Sequence, residues 1–519
     1  MDEGNLETLF LRFDQIKKLR KEQVGIVIRQ SIKGTVVTFL GSFLGYINLL
    51  YLFPLILSPE QIGLYKVLMD AATFCVIFAL LGSLDTSIKF FPIFKDEEKQ
   101  HNGFLFYILT IALTGFLLFT GVFIFMNEAL LDIFRDKSPL FIKYSNYLVP
   151  LVLLLLLFDV FANYTRSLYR IVIPKFFKEV MVRAIIGISV LLLMADIYDI
   201  TGFVLSLSVA YAVALIFLIG YIKRLGHLFL KPNFHVFRSD QLKELSTFGI
   251  FSILGSGSGV IVSKIDSLMI ASMAGLVDTA VYGIAYSISA LIQLPRRTLA
   301  EIITPLIAAA FQEGKMEKIQ VIYQKSSVTL LIIGGFAFTG IWVNIDSIFS
   351  LIPNSEIFIR GKYVVLVIGL TNLFEMSLGA NAPIITNSKY YKWNMIFLPS
   401  LALMTAISNF LLIPKYGILG AAGATFISIT FINIVRFLFV LIKLKLQPFT
   451  LDTLKAVMIV IFVFYLSSLI PSFNNIVIDI SLRSGAIVVL YLILNLWLKP
   501  SEDISKLIER GISVFLGKK

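Results

Sequence analysis

The sequence predicts an all-α polytopic membrane protein of about fourteen transmembrane helices: two six-helix bundles related by a pseudo-two-fold axis, then two extra C-terminal helices. Three observations predict it. Of 519 residues, 57% are apolar, above the roughly 45 to 50% of a soluble globular chain, and mean hydropathy is +0.87. Apolar runs of about 20 residues, the length that crosses a bilayer, recur from Val36 almost to Trp497. Lys and Arg concentrate in alternate connecting segments, as insertion requires of cytoplasmic loops.

The runs lie near 33–57, 64–84, 103–126, 144–165, 175–197 and 201–222, then 248–273, 280–303, 326–350, 361–385, 392–413 and 417–442, and finally 453–470 and 476–498. With the N-terminus inside, 31 of the 45 Lys and Arg fall on the cytoplasmic face and six in the outer loops. Both termini are therefore expected in the cytoplasm, which suits a bacterial cytoplasmic membrane. Residues 1–32 form an N-terminal segment with Leu6, Leu9, Phe10, Phe13 and Ile16 at helical spacing. Residues 499–519 repeat the pattern with Ile504, Leu507, Ile508, Ile512 and Phe515. Each is an amphipathic helix, lying on the inner leaflet or packed on the cytoplasmic loops.

The basic loop 223–247 separates an N-lobe, 33–222, from a C-lobe, 248–442, and residues 443–498 supply the two appended helices. IGLYKVLMDAATF (62–74) and TAVYGIAYSISAL (279–291) occupy corresponding places in the two lobes, which suggests duplication. Six helices per lobe is an even number, so the repeats share one orientation about an axis along the membrane normal.

The net charge of +12 needs no nucleic acid, since the inner-face excess of Lys and Arg accounts for it. The single Cys75 permits no intramolecular disulfide. His101, His227 and His235 lack metal-ligand spacing, and no metal site is expected. No GxxxxGK[ST] sequence offers nucleotide hydrolysis, and no catalytic constellation suggests an enzyme.

The stretch ILGSGSGVIVSKID (253–266) lies within a span, which excludes a soluble phosphate loop. On a helix, Ser252, Gly255, Ser256, Gly259, Ser263 and Asp266 share one small, polar face. Each glycine weakens the helix by about 1 kcal/mol relative to alanine, so Gly255, Gly257 and Gly259 mark a bending point. Close packing through small residues is the alternative. The next helix carries a second stripe, Tyr282, Tyr286, Ser289, Gln293, Arg296, Arg297 and Thr304, and the first lobe a weaker one containing Lys66 and Asp70. These faces are expected to line a central cavity. Ionisable groups inside spans are costly and ask for a reason. Lys66 with Asp70, and Arg297 with Glu301, are i, i+4 pairs. Lys264 lies off the polar face and is free to pair with another helix, whereas Arg296 has no carboxylate on its own helix. Glu375, in mid-span, and Asp159 are candidates for ion coupling.

LSPEQIGLYKVLMDAATF (57–74), KIDSLMIASMAGLVDTAVYGIAYSI (264–288), ITPLIAAAFQEGK (303–315) and LIPKYGILGAAGATFIS (412–428) together resemble the multidrug/oligosaccharidyl-lipid/polysaccharide exporter superfamily, and most closely its Wzx-type polysaccharide flippases. The resemblance implies a cavity lined by helices one, two, seven and eight. It also implies alternating access that moves an undecaprenyl-pyrophosphate-linked oligosaccharide to the outer leaflet. On that reading Arg296 and Lys264 meet phosphate, Tyr282 and Tyr286 stack on sugar, and Arg297, Asp266, Gln293, Lys66 and Asp70 complete the pathway. Partners are the lipid-linked oligosaccharide, membrane lipids and other polysaccharide-assembly proteins. No cofactor is expected, and coupling to Na+ or H+ is left open. A cation-coupled multidrug exporter and a lipid II flippase of the same superfamily stand as alternatives, and a scaffold for glycan-assembly enzymes as a reading from another class.

Overall fold

The computed structural model describes Gln30 and residues 33–233, 247–249 and 251–515. The amphipathic segment expected over 1–32 lies, apart from Gln30, outside the described residues, as does most of the 223–247 loop. All regular structure among the described residues is helical, with no strand, as lipid demands of a chain that must satisfy its backbone polar groups within each span.

The long helices are α1 (Lys33–Ile56), α2 (Pro59–Ala79), α3 (Ser83–Phe94), α4 (Phe104–Phe125), α5 (Leu148–Ser167), α6 (172–194) and α7 (Ile200–Arg224). They continue with α8 (253–273), α9 (Leu276–Gln312), α10 (Met316–Val343), α11 (Ser355–Ser377) and α12 (Asn381–Asn387). The chain ends with α13 (394–416), α14 (418–444), α15 (Leu451–Ser468), α16 (Ile476–Leu498) and α17 (Glu502–Phe515). Eleven helices among the described residues are long and apolar enough to cross a membrane, and each of the fourteen apolar runs coincides with helical residues.

Two boundaries differ from expectation for local reasons. The second run was expected at 64–84, but α2 begins at Pro59, a residue tolerated in a first turn, and ends before Leu81 and Gly82, both at positive φ. The ninth begins ten residues early, at Met316, where Ile319 and Tyr323, one turn apart, are buried in the core with Ile303 and Ile307. The eleventh and twelfth runs, expected at 392–413 and 417–442, divide as α13 and α14 at Gly417, whose φ is 56° and ψ −134°. Only glycine adopts that backbone conformation without strain.

Contacts divide the chain into two compact units. Unit 1 contains the segment up to Ile56, Ala72–Leu130 and Lys143–Ile253, and unit 2 contains Leu57–Ala71, Leu131–Ile142 and the chain from Leu254 onward. In unit 1, α5 and α7 contribute Leu151, Leu155, Phe158, Phe203, Leu207 and Leu218 to the buried interior. In unit 2, Ile303, Ile307, Tyr323, Ile384 and Ile432 form one core, and Val328, Ile332, Ile459, Val463 and Ile487 another. Ile504 of α17 packs against the second core, so one face of the C-terminal amphipathic helix is partly covered by protein. Outward faces are strongly apolar: Phe125, Ile442, Leu451, Val477 and Trp497 are exposed, as lipid contact permits.

Candidate functional site

The densest buried charge in unit 2 begins with α2. Lys66 and Asp70 stand one turn apart and form the expected ion pair. Asp70 Oδ1 also takes Lys264 Nζ of α8 at 2.7 Å, which answers the question of what Lys264 pairs with. The carboxylate is 3% exposed and the two lysines 21% and 26%. Two glycines admit this arrangement. A Cβ on Gly63 would lie 1.9 Å from the Leu276 carbonyl oxygen, so α2 can approach the start of α9 only with glycine there. At Gly283 of α9, the missing side chain leaves room for the Lys66 stem, whose Cε would be 3.3 Å from a Cβ.

Asp266, two residues after Lys264, is 5% exposed. Its Oδ1 accepts from Asn409 Nδ2 at 2.7 Å. Its Oδ2 accepts from the Tyr282 hydroxyl and from Thr425 Oγ1, both at 2.6 Å. All three donors are neutral. Asn409 Oδ1, Ser267 Oγ and Ser428 Oγ are buried without hydrogen-bond partners among the described residues. A carboxylate ringed by hydroxyls and an amide whose carbonyl oxygen is unused has the oxygen chemistry to hold a proton or a small hard cation. No group of three or more His, Cys, Asp or Glu is assembled among the described residues.

Farther along α9, Gln293 Nε2 donates to Asn372 Oδ1 at 2.6 Å and to Glu375 Oε2 at 3.2 Å. Arg296 Nη2 meets Glu375 Oε1 at 2.9 Å. This corrects the sequence reading in two ways. Arg296, expected to lack a carboxylate, takes one from α11. Arg297, expected to pair with Glu301, has no ion-pair partner among the described residues, and both of those side chains are exposed. The stripe from Ser289 to Arg296 packs on α11, with Asn372 Nδ2 donating to the Ser289 carbonyl at 2.9 Å. Tyr282 is 2% exposed and stacks on Tyr286 at 6.1 Å, so its ring and hydroxyl are occupied within the protein. The ion-coupling candidates carry cations: Glu375 holds Arg296, and Asp159, in unit 1, holds Lys178 at 2.5 Å.

The glycine cluster opens α8 with a π-helical turn, Ile253–Gly257. Gly257, the last residue of that turn, has helical φ and ψ. A Cβ on Gly255 or Gly259 would meet nothing within 4 Å, so neither glycine serves close packing. Asn409 and Thr425 went unnoticed in the sequence, although an amide in the middle of an apolar span is itself a signal.

A family model described as a polysaccharide biosynthesis protein matches residues 28–311, more than half of the chain. The chain belongs to this polysaccharide biosynthesis family. Solved structures share its fold. A lipid II flippase, MurJ, in an inward closed conformation is 16% identical, with a TM-score of 0.71 over 91% of this chain and 98% of its own. A multidrug resistance MATE family transporter of the MOP superfamily, in an inward-facing conformation, is 16% identical, with a TM-score of 0.62 over 78% and 93%. An outward-facing structure of such a transporter is 16% identical, with a TM-score of 0.53 over 80% and 94%. No curated protein matches. This member of the polysaccharide biosynthesis family, a multi-pass membrane protein by its apolar helices, thus shares its fold with flippase and transporter structures.

Proposed function

We propose that this protein carries a polyprenyl-pyrophosphate-linked oligosaccharide from the inner to the outer leaflet of a bacterial cytoplasmic membrane, by alternating access of the lobes 33–222 and 248–442. The observation that carries the reading is the balance of available charge in unit 2. The carboxylates of Asp70, Glu375 and Asp266 are already engaged, Asp70 by two lysines, Glu375 by Arg296 and Asp266 by three neutral donors, and Glu301 stands exposed one turn from Arg297. The exposed Arg297 has no ion-pair partner among the described residues. Such a site favours an anionic head over a cationic drug, and a guanidinium offers a pyrophosphate two parallel donors. Family membership favours an oligosaccharide over lipid II, since the matched model is of polysaccharide biosynthesis. Coupling to Na+ or H+ fits Asp266 better than Glu375 or Asp159, because its partners are neutral and can turn toward a cation.

Proteoliposomes test this directly. The purified protein should expose an undecaprenyl-pyrophosphate-linked oligosaccharide to an external lectin, and Arg297→Gln should slow that exposure by about tenfold or more, the value of a lost charge-assisted contact. Efflux of cationic dyes without movement of the glycolipid would overturn the reading in favour of a drug exporter.

A further inference from the structure

Unit 1 holds a second concentration of charge, away from the site above. A cavity of about 300 Å³ opens where α5 ends and α6 begins, and its polar lining is Asp159, Asn163, Arg166, Lys175, Lys178 and Glu179. That volume is at the lower end of small-molecule sites, about 300 to 1,000 Å³. One oxygen of each carboxylate in the lining is already held by a cation. Asp159 Oδ1 holds Lys178 Nζ at 2.5 Å, and Glu179 Oε2 holds Arg183 Nη2 at 2.7 Å. The Asn163 amide nitrogen donates to the Leu84 carbonyl and to Ser87 Oγ, both at 2.5 Å. Arg166 and Lys175 have no ion-pair partner among the described residues. Counting Arg183, four cations meet two carboxylates around the cavity.

The surroundings specify more than charge. Lys178 and Glu179 ride on a π-helical turn, Phe177–Met181, an irregularity that recurs at functional sites. Tyr169 in the turn, Phe176 of α6 and Phe217 of α7 leave aromatic surface exposed, and Phe177 of α6 packs on Phe217 at 6.0 Å. The basic-residue bias assigns this end of α5 and α6 to the cytoplasmic leaflet. A positively charged cavity at headgroup depth, flanked by apolar surface, suits a ligand with an anionic head and a hydrocarbon tail.

We propose that this cavity binds the phosphate ester of a membrane lipid, with Arg166 and Lys175 as its free cations and Lys178 shared between the phosphate and Asp159. The chemistry is common to a glycerophospholipid and to a polyprenyl pyrophosphate, and it does not depend on what the protein transports.

The test is lipid retention by the purified full chain, read by native mass spectrometry during titration with phosphatidylglycerol, phosphatidylcholine or undecaprenyl pyrophosphate. The Arg166→Gln/Lys175→Gln variant should hold phosphatidylglycerol roughly tenfold or more weakly, with phosphatidylcholine unchanged. Lys223→Gln/Arg224→Gln, at the end of α7 and outside the cavity lining, should behave as wild type. The same loss seen for undecaprenyl pyrophosphate alone would keep the phosphate site and assign it to the carrier lipid. Equal retention of both anionic lipids by wild type and the cavity variant, or an equal loss in the α7 control, would overturn the proposal. Should the double variant fail to fold, Lys175→Gln alone, which removes no ion pair, should still weaken retention several-fold.

Discussion

Replacing Asp70 with Asn keeps the shape of the side chain and removes the charge that two lysines share. Removing one partner of a buried ion pair costs about 3 to 5 kcal/mol. Here the two ammonium-bearing side chains are 21% and 26% exposed, and water reaching them lowers the cost to about 3 kcal/mol. That is roughly a hundredfold in the ratio of folded to unfolded protein. Lys264→Met should be much milder. It leaves Lys66 and Asp70 matched in charge, loses one charge-assisted hydrogen bond of about 1.5 to 3 kcal/mol, and no longer buries an ammonium, for a net cost of about 1 kcal/mol. Combining the two leaves a single unmatched lysine in place of two, so the double variant should be more stable than Asp70→Asn alone. The expected order of stability is wild type, Lys264→Met, Asp70→Asn/Lys264→Met, Asp70→Asn. Thermal unfolding of the detergent-solubilised protein, scored by the monodisperse fraction remaining after heating, reads that order. Equal melting of Asp70→Asn and Lys264→Met, or a double variant weaker than either single one, would show that the three groups do not share one buried charge balance.

Two further outcomes follow from the same unit. Gly255→Leu/Gly259→Leu places new side chains in open space and raises helix propensity by up to about 1 kcal/mol per site, so the variant should insert and fold as well as wild type but lose transport if α8 bends there; wild-type rates of glycolipid exposure would remove the bending role. Asp266→Asn should leave transport unresponsive to an imposed Na+ or H+ gradient in proteoliposomes, whereas a response as steep as wild type would place the coupling group elsewhere.

The spans were legible because they depend on local composition: an apolar run of sufficient length becomes a helix in lipid whatever it packs against. The Lys66–Asp70 pair was equally legible, since residues four apart on a helix are neighbours. The family resemblance, carried by segments such as 57–74 and 264–288, also lay in the sequence. Tertiary structure decided what these charges do. Helical spacing sees only one helix, so it left Arg296 without a partner and gave Arg297 one. Glu375, distant from Arg296 in the chain, reverses that assignment because α9 and α11 pack together. Asp266 is surrounded by groups from α9, α13 and α14 that lie 16, 143 and 159 residues away. A buried charge takes whatever donor lies closest in space, and in a helical bundle most such neighbours come from other helices, where no periodicity in the sequence records them.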